Sequence, residues 1–296
     1  MKPQYQHQVM TSFLLWFDNY LLQEGQAYTN KTGRLFPFSD SRLPEPYSRY
    51  ASPYKQWVTD SSVTGETNPI IPTAISVVGS SLPNINGVVS KEDGIYGFDF
   101  ENGGIIHSGR EEGIPSNSVI TGTFAVKDFN IYLTNDTEED LILERKFVNN
   151  SRYGDAESGI KPYDQAVPAI FINNEFVQNN PFAFGGEDET QMTIKAVVLA
   201  ENEYQLDGAL SIFADSTRLN VTLVPFTGYP ITEYGDLKDG VFNYTGMIEA
   251  YKSSRPLYIN DVTVSKLSDR AKKQVIGDLK VGFIDFDVHQ HRFPRS

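Results

Sequence analysis

The stretch Ile284–His291 near the end of the chain carries two aspartates and two histidines at every second position. Alternate side chains of a β-strand share one face, so Asp285, Asp287, His289 and His291 would line up together. Imidazole and carboxylate groups are ligands of zinc and iron. Side chains two residues apart lie roughly 6.5–7 Å from each other along a strand, so one ion could take only two of the four without a ligand from elsewhere. We therefore predict a polar face that meets solvent or another subunit, and keep Asp287, His289 and His291 as candidate metal ligands.

Two acidic clusters, residues 136–140 and 187–189, offer further carboxylates. Both follow turn-forming residues, and runs of like charge are typical of solvated loops. Neither cluster has the ligand spacing of an EF-hand. The sequence contains no phosphate-binding loop, no dinucleotide fingerprint and no nucleophile elbow. We therefore predict no catalytic residue and no cofactor.

Composition excludes several classes of protein. The 296 residues include no cysteine, which excludes disulfide scaffolds, cysteine-bound zinc, iron–sulfur clusters and thiol catalysis. With 25 Lys and Arg against 38 Asp and Glu, the formal net charge is −13. That balance argues against a general DNA-binding protein. No apolar run reaches the ~18 residues of a membrane span, and no secretory signal is expected at the N-terminus.

Apolar residues recur at helical spacing between residues 12 and 22, which predicts an amphipathic helix over residues 9–24. Its apolar stripe either packs on the chain's own core or docks on a neighbouring subunit. For the second case, the candidate partner-binding residues are Phe13, Trp16, Phe17, Tyr20 and Leu21.

Residues 29–72 contain six prolines among scattered aromatic residues. Proline at this density disfavours helices and central strands, so we predict an extended, irregular arm. The aromatic content indicates that the arm is bound, either to its own β-domain or to an adjacent protomer. Trp57 joins the candidate partner-binding residues.

Strand patterns and turn signals dominate the remaining sequence, without a strand–helix alternation. The predicted fold is mainly β: an antiparallel β-sandwich or jelly-roll-like domain with an N-terminal amphipathic helix and an extended arm. Residues 1–72 would form the helix and arm, and residues 73–296 the β-domain, with a division near 159–163 left open. The predicted strands include residues 121–133, 209–213, 242–251, 257–267 and 279–288.

Four stretches carry a resemblance to a known class of proteins: residues 54–58, 126–133, 134–140 and 284–288. They are similar to parts of the neck and tail proteins of contractile-tailed bacteriophages. The resemblance implies a virion structural protein, assembled in the host cytoplasm as a ring of identical copies that stacks on other neck or tail proteins. It also implies a channel through which DNA passes, with no sequence-specific DNA contact, no membrane partner and no catalysis.

Two alternatives remain open at the level of sequence. A carbohydrate-binding or adhesin-like β-sandwich would account for the aromatic content, although the arm would then have no role. A metal-dependent β-barrel enzyme would be built around Asp287, His289 and His291.

Overall fold

The computed structural model describes residues 4–38, 43–64, 76–77, 80–81, 95–108, 120–144, 147–149, 165–231, 243–267 and 279–293. The helices are α1 (Tyr5–Glu24), α2 (Ser61–Thr64), α3 (Glu203–Ala214) and α4 (Tyr244–Tyr251), with a π-helical turn at Asp140–Glu144. The strands are β1 (Tyr28–Phe38), β2 (Tyr47–Ala51), β3 (Ser76–Val77), β4 (Ser80–Ser81), β5 (Ile95–Asp99), β6 (Gly104–Ser108), β7 (Ile120–Lys127), β8 (Asn130–Leu133), β9 (Val148–Asn149), β10 (Ala166–Val167), β11 (Ala169–Ala183), β12 (Glu187–Ala200), β13 (Asn220–Val221), β14 (Leu257–Lys266) and β15 (Lys280–Arg292). The prediction of a mainly β fold with antiparallel sheets and an N-terminal helix is confirmed.

The described strands form two larger sheets and a parallel pair, β9 with β10. A seven-stranded antiparallel sheet has the order β4-β3-β7-β1-β2-β6-β5. A six-stranded sheet has the order β13-β14-β15-β12-β11-β8, antiparallel except for the β11–β8 pair. The predicted strand at residues 121–133 is therefore two strands, and β7 and β8 belong to different sheets.

Helix α1 packs on one face of the six-stranded sheet through interlocking aromatic rings. The ring of Phe13 lies 5.1 Å from that of Phe286 on β15, edge to face. The ring of Phe17 is stacked at 3.9 Å on Phe213 of α3. Phe13, Phe17, Phe213 and Phe286 have no exposed surface, so this cluster forms the centre of the larger hydrophobic core.

The same helix also contacts the seven-stranded sheet. Leu22 packs with Val58 and with Ala125 of β7 in a smaller buried cluster. Lys127 Nζ, at the end of β7, donates to both carboxylate oxygens of Asp18 at 2.7 Å. Helix α1 thus connects the cores of the two sheets. Among the described residues, no helix combines the length and hydropathy needed to span a bilayer.

The candidate partner-binding residues lie mostly inside their own chain, which corrects their assignment. Five of them are buried: Phe13, Trp16, Phe17, Leu21 and Trp57. The sixth, Tyr20, is half-buried and stacks on Trp16 at 5.3 Å. A side chain enclosed by its own core has no surface left for a partner, so we no longer assign the five buried residues to partner binding. Tyr20, which is half-buried, stays a candidate.

The region predicted as an irregular arm contains strands β1 and β2. Residues Tyr28–Leu35 of β1 pair with β7, and the later part of β1 pairs with β2. Pro37 lies beyond the stretch that pairs with β7, so it removes no hydrogen bond from that ladder. A boundary at residue 72 would cut this sheet between β1 and β7. The predicted division near residues 159–163 lies outside the described residues.

Two predicted strands, at residues 209–213 and 242–251, are wrong because residues 209–213 lie in α3 and residues 244–251 form α4. Asn202 caps α3 by accepting from the Gln205 amide at 2.9 Å. Asn243 caps α4 by accepting from the Gly246 amide at 2.7 Å. Asparagine at this position satisfies amides that have no partner within the helix. The predicted strand at 209–213 was too short to show the helical period of the buried side chains of α3.

Truncating Phe17 tests the central position of α1. We expect Phe17→Ala to lower the free energy of unfolding by about 3–5 kcal/mol, because it opens a cavity in a closely packed aromatic cluster. Tyr204→Ala is the control, since Tyr204 is 89% exposed on α3, and it should change stability by less than about 0.5 kcal/mol. Urea unfolding followed by circular dichroism measures both. Equal stability of the two variants would place α1 outside the core.

Candidate metal centre

The side chains of strand β15 alternate between a buried face and a polar face of the sheet, as predicted. Ile284, Phe286 and Val288 point toward α1 and have no exposed surface. Residues 285, 287, 289 and 291 alternate with them and lie on the other side of the sheet. We call this side, away from α1, the outer face of the six-stranded sheet.

The neighbouring strand β12 supplies the carboxylate that completes a possible metal site. Glu189 lies directly opposite His291 in the β12–β15 ladder, and Gln191 lies opposite His289. One ligand atom from each of Glu189, His289 and His291 lies within 4.8 Å of the other two, and all three residues are half-buried. The structure therefore brings together two of the three predicted ligands. Asp287 lies opposite Thr193 instead and is not part of this group.

Aromatic neighbours restrict the two imidazole rings. Tyr258 of β14 stacks on His289 with ring centroids 5.4 Å apart. Phe182 of β11 lies 4.2 Å from the ring of His291. The two imidazoles are themselves 5.9 Å apart and nearly perpendicular. Contacts on both sides limit how far the rings can turn away from Glu189.

Hydrogen bonds on the inner face hold this end of β15 in place. Tyr5 donates from its hydroxyl to Gln290 Oε1 at 2.6 Å. Gln290 Nε2 donates to the carbonyl of Arg255 at 2.6 Å. Arg292 Nε donates to Thr190 Oγ1 at 2.7 Å. Burial raises the pKa of Tyr5 to about 12, although Arg292 opposes this, so the hydroxyl remains a donor at neutral pH. Since side chains alternate, anchoring residues 290 and 292 inward directs 289 and 291 outward.

One nitrogen of the cluster has no hydrogen-bond partner among the described residues. His291 Nδ1 is buried and unpaired. A buried polar atom without a partner costs about 1–3 kcal/mol. A cation bound at Nδ1 would satisfy this nitrogen.

The middle of the outer face carries a different charged group. Lys195 Nζ lies 3.2 Å from Glu138 Oε1 and 3.1 Å from Glu175 Oε1. Burial raises the pKa of the neighbouring Asp285; the positive charge of Lys195 opposes this, and Glu138 and Glu175 add to it. These partly exposed ion pairs contribute little stability each. We interpret them as structural.

Glu189 is a site residue that the sequence did not predict. The acidic run 187–189 was predicted to be a solvated loop, whereas these residues begin β12. The glycines Gly185 and Gly186, both with positive φ, form the turn before them. That turn predicts a hairpin, but only the pairing of β12 with β15 shows that Glu189 faces a histidine about a hundred residues later in the chain.

Comparison with known proteins adds no assignment for this cluster. No family model matches the chain. No curated protein matches it in sequence. Chemically, two imidazoles and one carboxylate can bind a divalent cation, and three protein ligands would leave a fourth position open.

The charge on Asp285 should affect stability in a pH-dependent way. Its pKa is raised in the folded protein, so the folded state binds this proton more tightly than the unfolded chain does. Its contribution to stability is present at acid pH and is lost as pH rises through the folded-state pKa. We expect the free energy of unfolding of Asp285→Asn, relative to wild type, to increase from pH 3 to pH 7. Urea unfolding across that range measures it, and a decrease would show that Lys195 dominates.

Proposed function

We propose that this chain is a structural subunit that acts by assembling with further copies of itself and with other proteins, at the neck or tail of a tailed bacteriophage virion. The observation that carries the proposal is the exposed apolar tip of the β11–β12 hairpin. Phe182 is 59% exposed, and Phe184, in the turn, is fully exposed. Clustered aromatic side chains at a protruding turn are typical of protein–protein contacts.

The open edge of β11 supports the same proposal. Strand β8 pairs with β11 only over Ala169–Ile172. Among the described residues, no strand pairs with that edge beyond Ile172. Two register shifts, between Asn174 and Phe176 and between Pro181 and Ala183, lie within the open part, in which Phe176 is half exposed. An unpaired strand edge can accept a strand from another chain, and one such contact repeated around an axis generates a ring.

The overall charge is compatible with a channel that DNA passes through. The formal net charge is −13, and an acidic wall repels phosphate groups, so DNA could slide without binding. The neck or tail setting itself, with other virion proteins as partners and no enzymatic activity, comes from the sequence resemblance described above.

Removing the aromatic tip should weaken self-association. We expect Phe182→Ser/Phe184→Ser to lower the association constant by about thirtyfold, the loss produced by a hot-spot contribution of about 2 kcal/mol. Tyr204→Ser is the matched control, because it removes from α3 an aromatic ring whose exposure, 89%, lies between those of Phe182 and Phe184. Sedimentation across a range of protein concentrations measures the association constant.

Two results would contradict this proposal. One is a wild-type chain that stays monomeric at every concentration reached. The other is a double variant that associates as well as the control. Glycan binding that depends on Phe182 would instead favour the carbohydrate-binding alternative.

A further inference from the structure

We propose that Glu189, His289 and His291 bind one divalent transition-metal cation of the zinc type. The site lies on the outer face, beside the base of the β11–β12 hairpin. This inference does not depend on the proposed role in assembly, since it rests on the ligand cluster alone.

The ligand types select the class of metal. Two imidazoles and one carboxylate suit zinc, nickel, copper and iron, whereas magnesium and calcium prefer oxygen ligands throughout. The chain has no cysteine and only four histidines, so few other side chains can compete. His7 is exposed near the start of α1, where its Nδ1 accepts from the Gln4 amide. His107 is buried on β6.

The ligand atoms already lie close to the separation that a tetrahedral ion requires. The ligand atoms now lie within 4.8 Å of one another. A tetrahedral ion with bonds of about 2.0–2.1 Å places its ligands about 3.4 Å apart. Glu189 has three rotatable bonds and lies directly opposite His291, so its carboxylate can approach without movement of the strands. The ring of Tyr258, stacked on His289, and the tilted ring of Phe182 beside His291 already restrain both imidazoles.

The unpaired nitrogen provides a second, independent observation. His291 Nδ1 is buried and has no hydrogen-bond partner among the described residues. Coordination would pair such a nitrogen. A water molecule or a group from another protein would occupy the fourth position.

A bound metal ion would add a cross-link between the paired strands β12 and β15. The cross-link would lie at the end of the sheet that is next to the β11–β12 turn. The cation would bind the folded chain, in which the three ligands converge, better than the unfolded chain. Binding would therefore raise the melting temperature in proportion to the logarithm of metal concentration above the dissociation constant.

The test uses the full chain without an affinity tag, stripped of metal by a chelator and titrated with Co²⁺ and Zn²⁺. We expect one Co²⁺ per chain, visible absorption bands of a four-coordinate ion, and displacement of Co²⁺ by Zn²⁺ but not by an equal concentration of Mg²⁺. Glu189→Gln and His289→Gln should each weaken binding by at least about tenfold, since changes around a metal's ligands already cost that much.

Two matched variants make the test specific. Asp287→Asn removes the carboxylate on β15 nearest to the cluster in sequence, and His7→Gln removes an exposed histidine elsewhere; both should leave the affinity within about twofold of wild type. Melting curves of the metal-free variants show whether each one folds. Zn²⁺ should raise the melting temperature of wild type and Asp287→Asn, but not that of Glu189→Gln. Absence of binding, equal loss in Asp287→Asn, or binding that depends on His7 would overturn the proposal.

Discussion

The aromatic contact between α1 and the six-stranded sheet is the interaction on which the rest of the fold depends. Phe17 stacks on Phe213, while Phe13 meets Phe286 edge to face. Such ring pairs add about 0.5–1.5 kcal/mol each beyond the burial of their area. Because the same helix also packs against Ala125 of the seven-stranded sheet through Leu22, loss of α1 would expose apolar surface on both sheets. The N-terminal helix is therefore part of the core of its own chain.

A buried ion pair gives this helix a defined orientation. Asp18 is 8% exposed, and burial raises the pKa of its carboxyl, an effect that Lys127 opposes. On the next residue, Asn19 Nδ2 donates to Asp60 Oδ2 at 2.7 Å, and Asp60 Oδ1 accepts from the Tyr244 amide at 3.0 Å. Buried charges are costly unless paired. A rotated or shifted α1 would leave these groups unpaired, so the polar contacts select the one arrangement that the aromatic packing favours.

Structural features that depend on local periodicity could be predicted from the sequence, whereas features that depend on the register between paired strands could not. The alternation of Ile284, Phe286 and Val288 with polar residues correctly predicted the two faces of β15. Helix α1 followed from its apolar spacing, but its docking site did not, because an amphipathic stripe fits any apolar surface. Glu189 could not be predicted as a neighbour of His291, because their pairing depends on how β12 and β15 align across the sheet. Local patterns contain no information on that alignment.

The N-terminal segment is buried against one side of the six-stranded sheet. We therefore look for functional surfaces on the opposite side of this sheet. Since α1 and α3 cover the inner face, the described parts of this sheet that are left open to other molecules are the outer face, the edge of β11 and the hairpin tip. The exposed Phe182 belongs to two of these features, because it lies on the hairpin and packs against His291. A cation held by Glu189, His289 and His291 would stiffen the strands that support the tip. Assembly and metal binding, although proposed on separate observations, would then share this one side chain, and any coupling between them would be reciprocal.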